Sequence, residues 1–366
     1  MYETRPLSKD KGDFRPGVMI MCSSLYGGGA ERVACRLACG LSDDYRVVML
    51  YIQDKGQTYP LSPGIETFAI PRFEGDFETI MRGRAAFVRE MKESLKIAVA
   101  VSFMFTMNKL NVWTAEKTKA ICSERNSPMK RDPEHFQEIE GIYETADHVV
   151  FQTETVRSQF SRKVQDHSSV IVNPVATSCL RVGGRRRIVN VARLTPQKNQ
   201  AMLIRAFAAF HRTHSDYVLS IYGEGESSEE LRALADSLGL HDAVQFLGHV
   251  RDVHSAIADA ETFVLSSDYE GLSNALLECM TMGFPCVSTR CEGSVDVIRH
   301  GENGFLVDVG SEDQTTAALT RLADDAAFRE ALGAHARTSS VPFQPDRVIG
   351  QWKRLVKQAL DEPSDV

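Results

Sequence analysis

Along the whole chain, short apolar runs alternate with longer stretches of helical period. In the first half the runs cover residues 18–22, 46–52, 97–102, 119–122, 148–151 and 170–172; in the second they cover 187–191, 217–222, 244–246, 262–265, 286–288 and 305–307. Most are rich in Val and Ile and apolar throughout, where a strand with one wet face would alternate. Such runs predict strands buried on both faces. Between them, residues such as Met202, Ile204, Ala206, Phe207 and Phe210 fall on one helical stripe. Repeated βα units of this kind predict an α/β chain of parallel sheets flanked by helices.

The pattern breaks between residues 174 and 186. Pro174 closes a strand, and the stretch from Ser178 to Arg187 is polar, carries Gly183-Gly184 and several arginines, and has no period. The expected domains are therefore 1–178 and 179–342, with 343–366 as a last segment. In that segment Val348, Trp352, Leu355, Val356 and Ala359 form one stripe of an amphipathic helix over 345–360, set off by a turn containing Pro342 and Pro345.

A length of 366 residues suits two domains. With 43% hydrophobic and 25% charged residues the composition is globular, which excludes a disordered or heptad-repeat chain. The net charge of −7 lies wholly in the second half, because residues 1–180 hold 23 Lys and Arg against 23 Asp and Glu. No basic domain stands out, so nucleic acid is not the expected partner. None of the eight cysteines forms the Cys-x-x-Cys pair that zinc ribbons and redox dithiols need, and they read as buried, reduced thiols. Met1 to Arg15 is polar and lacks the apolar core of a signal peptide. The longest apolar run, 97–107, would span about 16 Å as a helix, half a bilayer. A cytoplasmic protein is the expectation. Residues 81–96 are basic with interspersed apolar positions; they suit a helix resting on anionic lipid at the inner face of the membrane, and equally a solvated outer helix.

Chemistry gathers at the strand ends. After the first strand come Gly27-Gly28-Gly29-Ala30-Glu31-Arg32, glycines that let backbone approach a ligand, followed by a helix N-terminus that attracts anions. The spacing is neither the dinucleotide fingerprint nor Walker A, so a tight structural turn stays open beside ligand contact. In the second half, strand 187–191 runs into Arg193 and Lys198, two cations five residues apart that can clamp a diphosphate, Arg in bidentate fashion. Gly223-Glu224-Gly225 and Gly248-His249-Val250 follow the next two strands; a flat loop there can read the edge of a nucleobase. The strongest constellation follows strand 262–265. Glu270 lies in a loop, the N–H groups of Gly271, Leu272 and Ser273 form an anion site, and Glu278 lies five residues into the next helix, about 8 Å along its axis. One carboxylate could hold sugar hydroxyls, the other a ribose, with a diphosphate between them on the helix dipole.

Together these segments resemble retaining glycosyltransferases of family 4, which have the GT-B fold. Gly27 to Arg32 looks like that family's N-terminal glycine loop. Arg193, Lys198, Gly223-Glu224-Gly225, Gly248-His249-Val250, and Glu270 through Glu278 carry the rest, with Gly283-x-Pro285 and Gly301-x-Asn303-Gly304 completing the run. The resemblance implies two Rossmann-like domains facing across a cleft, an N-terminal one for the acceptor and a C-terminal one for a nucleotide-sugar, with the last helix crossing back to the first. Arg193 and Lys198 would neutralise the departing diphosphate, Glu270 would contact the donor sugar and Glu278 the ribose. Gly248 to Val250 would contact the base, and Gly27, Gly28 and Gly29 would close over the phosphates. The implied reaction is transfer of a hexose or N-acetylhexosamine, UDP-linked, to a glycan or polyprenyl-diphosphate-linked acceptor with retention, as in bacterial polysaccharide synthesis. No Asp-x-Asp occurs, so no cofactor or metal is expected.

One segment departs from the family. Where many relatives place a histidine after strand 119–122, this chain has Ser123-Glu124-Arg125-Asn126-Ser127-Pro128. Arg cannot act as a base. Glu124, Arg125 and Asn126 are acceptor-side candidates, or else form a helix-capping salt bridge. A nucleotide-sugar epimerase and a non-catalytic nucleotide-sugar binder remain as alternative readings.

Overall fold

The computed structural model describes residues 14–53, 56–57, 59–126 and 132–361. They divide into two compact units, one within 1–124, 141–149 and 352–366, the other of 125–140 and 150–351. The described strands are β1 (Gly17–Ser24), β2 (Arg46–Gln53), β3 (Glu66–Ala69), β4 (Ile97–Phe103), β5 (Lys119–Ser123), β6 (His148–Phe151), β7 (Ser168–Val170), β8 (Arg185–Val191), β9 (Val218–Tyr222), β10 (Val244–Gly248), β11 (Ala260–Leu265), β12 (Cys286–Thr289) and β13 (Phe305–Val307). One sheet runs β3-β2-β1-β4-β5-β6-β7, the other β10-β9-β8-β11-β12-β13. β1 pairs in parallel with β2 and β4, and β8 with β9 and β11. This is the doubly wound α/β architecture that the apolar runs predict.

The order reverses once in each sheet. After β3 the chain returns to lay β4 on the far side of β1; after β10 it returns to lay β11 beside β8. The loops leaving β8 and β11 therefore stand side by side, held by the register Ile188↔Thr262 and Val189↔Phe263. In open parallel sheets that reversal opens a crevice at the carboxyl ends of the strands, where ligands bind.

The apolar runs match strand burial closely: Val18 to Met21, Val48 to Leu50 and Val99 to Val101 are fully or almost fully buried. The strand the pattern does not reveal is β3, an edge strand whose residues alternate between exposed and half-buried. Run 97–107 is not one element. β4 ends at Phe103, Met104 turns at φ 74°, and a helix Phe105–Trp113 begins. The basic stretch 81–96 lies in helix Phe77–Ser94, capped by Asp76, whose carboxylate accepts the Thr79 N–H. Of its cations Lys92 points inward and is 3% exposed, so the basic face is smaller than the sequence implies. Among the described residues no helix is long and apolar enough to cross a membrane.

The stretch 174–184 has no regular structure yet is pinned along its length. Val175 N–H donates to Phe343 O, Arg181 N–H to Met282 O and Val182 N–H to Ala258 O, each within 2.7–2.9 Å. The last helix is Pro345–Asp361, and its stripe of Val348, Trp352 and Val356 is fully buried.

Candidate functional site

Arg193 and Lys198 are both placed by the loop after β8. Gly223 N–H donates to Gly248 O, Ala192 N–H to Tyr222 O and Leu194 N–H to Glu224 O, so the loops after β8, β9 and β10 are stitched backbone to backbone. A Cβ on Gly223 would lie 1.9 Å from Ala192 O, and one on Gly225 2.1 Å from Leu194 O. These glycines admit neighbouring backbone, not only a ligand. Glu224 accepts the His249 N–H at 3.3 Å, which occupies one of the groups expected to read a base, and Val250 packs against the core. The loop then makes a 3-10 turn, Pro196–Lys198, and Asn199 enters the left-handed region (φ 43°, ψ 46°) as the cap of helix Gln200–His211. Asn tolerates that region better than most residues. Arg193 is exposed, and its guanidinium makes no ion pair among the described residues.

The loop after β11 grips the loop after β8. Asn199 Nδ2 donates to Asp268 at 2.7 Å, Asp268 N–H to Gln197 O at 2.9 Å, and Gln197 Nε2 to Tyr269 O at 2.9 Å. Lys198 Nζ is bonded to Glu270 Oε1, and Ser267 Oγ donates to the same oxygen at 2.7 Å. Both side chains are nearly buried. Lys198 is thus not a lone cation at a helix start: its counter-charge is the loop carboxylate.

Helix Asn274–Met282 begins beside this pair. Ser273 caps it by accepting the Leu276 N–H, and Glu278, fifth in the helix, is 5% exposed. Its Oε2 lies 3.4 Å from His254 Nε2. Gly271 is pressed from behind, since a Cβ there would fall 2.4 Å from Arg125 O. Arg125 is buried and donates to Asn173 Oδ1 at 2.8 Å. Asn173 also accepts from Gln152 and donates to Asn274 Oδ1 at 2.7 Å and to Leu272 O at 3.3 Å. Arg125 therefore buttresses the loop of Glu270, Gly271, Leu272 and Ser273, a role the sequence does not reveal. The missed residues are Asn173 and His254, whose partners lie 21 to 101 positions away; the Asn-Pro pair closing a strand is a weak signal for the first.

In the first unit, Gly27 (φ 60°) and Gly28 (φ 70°) take positive φ, and Gly28 caps helix Gly29–Leu41 with no side-chain hydrogen bond, the Glu31 carboxylate lying against it. Glu124, 1% exposed, follows β5 and accepts from Tyr143 Oη at 2.7 Å. Tyr143 accepts from Asn108 Nδ2 at 2.8 Å, and Asn108 Oδ1 accepts from Ser102 Oγ at 2.8 Å. Ser102 accepts from Asn111 Nδ2 at 3.1 Å, and Asn111 Oδ1 from Lys92 Nζ at 2.8 Å. Every donor points the same way, from the lysine toward the carboxylate. Asn126 is half-buried; Ser127 and Pro128 lie outside the described residues. Six of the eight cysteines are buried, and all are free thiols.

Residues 179–339 match the family of glycosyl transferases group 1. The lipopolysaccharide core biosynthesis glycosyltransferase LpsD of Rhizobium meliloti is 35% identical over 147 residues, 40% of this chain and 42% of that protein. An uncharacterized glycosyltransferase of Haemophilus influenzae is 24% identical over 346 residues, 90% of this chain and 96% of its own length. For other curated relatives, LpsD among them, the chain spans less than half of their length. Anabaena HepE, solved with UDP and glucose, superposes with a TM-score of 0.78 at 17% identity, over 93% of this chain and 99% of that one. At that identity the likeness speaks for the fold.

Proposed function

From the match of residues 179–339 to the group 1 glycosyl transferases, we propose that the protein transfers a hexose or N-acetylhexosamine from a UDP-sugar to a glycan or polyprenyl-diphosphate-linked acceptor. Transfer proceeds with retention and without a metal. The observation that carries this reading is the pairing of loops at the reversal of the second sheet, with Arg193, Lys198 and Glu270 on adjacent strand ends and Glu278 one helix turn beyond the Ser273 cap. Relatives named for lipopolysaccharide core synthesis and for transfer onto a diphospho-undecaprenol glycan support the class of acceptor.

In this mechanism the diphosphate lies over the tip of helix Asn274–Met282, where Arg193 and Lys198 offset the charge that grows on the leaving oxygen. Glu270 takes the sugar hydroxyls and Glu278 the ribose. Expulsion of nucleoside diphosphate leaves an oxocarbenium-like sugar, which the acceptor hydroxyl attacks from the face the leaving group vacates, its proton passing to the departing diphosphate oxygen. The two cations supply what a divalent ion supplies elsewhere. Glu124 and Asn126 are the candidates for acceptor contact, Arg125 acts from behind the Glu270 loop, and the protein works against the inner membrane face as a peripheral partner.

The test is a thermal-shift screen of UDP-, GDP- and ADP-sugars, followed by turnover of the stabilising donor in excess EDTA. A binder raises apparent stability by mass action, about 2.7 kcal/mol at a hundred times Kd. UDP-sugars should shift the melt, slow donor hydrolysis should persist in EDTA, and Glu270→Ala should abolish it. Loss of activity restored by a divalent ion would reject the metal-free mechanism, and conversion of the donor sugar without acceptor would mark an epimerase. Binding with no turnover of any kind would leave only a nucleotide-sugar binder.

A further inference from the structure

Glu278 is a nearly buried carboxylate, and a buried carboxylate needs a fixed partner. His254, on the short helix Val253–Ile257, brings Nε2 to 3.4 Å from Glu278 Oε2. Its other ring nitrogen, Nδ1, receives the backbone N–H of Ser178 at 3.2 Å. A backbone N–H only donates, so Nδ1 is the acceptor and the ring proton sits on Nε2, facing the carboxylate. Ser178 is held in turn: its Oγ donates to Asp252 Oδ1 at 3.1 Å, and Asp252 caps the His254 helix by accepting the Ser255 N–H. The tautomer and the direction of the ring are thus set from behind, by the period-less stretch at 174–184 and by a helix cap. The contact to Glu278 is long and falls outside hydrogen-bond geometry.

We propose that His254 is a positioning residue: it holds the Glu278 carboxylate so that it receives the ribose hydroxyls of the nucleotide, and thereby sets a preference for ribonucleotides over their deoxy forms. This rests on the proposed role of Glu278 as the ribose carboxylate. A merely structural histidine would stabilise its helix and affect every nucleotide alike. A positioning histidine changes only the part of the affinity that passes through the hydroxyls, and a charge-assisted hydrogen bond is worth about tenfold or more.

The experiment is calorimetric titration of the full chain with UDP, 2′-deoxy-UDP and 3′-deoxy-UDP, and with the matching GDP set. The unaltered protein should bind one ribonucleotide about tenfold tighter than its deoxy forms. His254→Phe should lose most of that preference by weakening the ribonucleotide alone, while His254→Gln, whose amide can still donate to Glu278, should keep most of it. Equal weakening for all ligands, or an undiminished preference in His254→Phe, overturns the proposal. If His254→Phe does not fold, the comparison of His254→Gln with His254→Ala decides on the same criterion. Glu278→Gln separates the two readings: if it removes the preference and the histidine variants do not, Glu278 binds ribose and His254 does not position it. A preference that survives Glu278→Gln refutes the ribose role and the positioning role together. Absence of binding by both UDP and GDP refutes the proposed function itself.

Discussion

Lys198 shows how a single residue resolves a local conflict. A cation at the start of a helix opposes the dipole, and the sequence offers that conflict as a hint of ligand binding. In the folded chain the charge is answered by Glu270, with Ser267 donating to the same oxygen. Removing one partner of a nearly buried pair leaves the other uncompensated, typically at a cost of 3–5 kcal/mol. Lys198→Met should therefore lower the melting temperature and cut turnover by about a hundredfold or more. Adding Glu270→Gln should restore most of the stability and none of the turnover. Urea melts and steady-state rates measure the two effects; a double variant no more stable than Lys198→Met would contradict the pairing argument. The spacing of Arg193, Lys198, Glu270 and Glu278 was legible because the first three follow apolar runs and the last lies inside the apolar helix that comes next. What Gly223 and Gly225 approach was not legible. A glycine announces close contact without saying with what, and here one partner is the backbone of Ala192 and Leu194.

At the scale of elements, periodicity located the buried strands because both faces are covered, and it passed over β3, whose alternating edge exposure carries too little apolar signal. It also could not see that Lys92, on an apparently basic helix, ends among Asn111 O, Asn111 Oδ1 and Thr114 O at the C-terminal end of helix Phe105–Trp113. That end of a helix favours a cation. Burial nevertheless pushes Lys92 down to about 7, so its ammonium form dominates only below that pH. From there the single-direction chain through Asn111, Ser102, Asn108 and Tyr143 reaches Glu124. Hydrogen bonds oriented head to tail polarise one another. Lys92→Met and Glu124→Gln should accordingly be coupled in stability by roughly 1 kcal/mol at pH 6, although four side chains stand between them. Ser102→Ala should abolish the coupling, and Ser102→Thr, which keeps the hydroxyl, should retain it. Additive single variants at pH 6 would mean that the bonds are independent.

Across the whole molecule, each unit buries three thiols: Cys22, Cys35 and Cys122 in one, Cys279, Cys286 and Cys291 in the other. Burial raises all six above the ordinary thiol value, Cys35 and Cys122 to about 12 and Cys291 to about 11. A raised folded value means that the native chain keeps protons the unfolded chain has released. The stabilisation is complete below the unfolded value near 9 and is lost as pH climbs toward the folded values. At pH 10.5 the thiols of the unfolded chain are largely ionised while the buried ones still hold their protons, so each favours unfolding there. Lys92 acts with the opposite sign, because its lowered folded value makes stability rise with pH between about 7 and the ordinary lysine value, and only in the first unit. One lysine cannot offset six thiols, so denaturant midpoints should hold or rise slightly from pH 7 to 9 and then fall steeply. Replacing Cys122 and Cys286 with alanine removes one thiol from each unit and should flatten about a third of the alkaline fall, read as the change in unfolding free energy between pH 9 and 10.5. An alkaline limb unchanged in that variant would show that other groups, not the thiols, govern stability there.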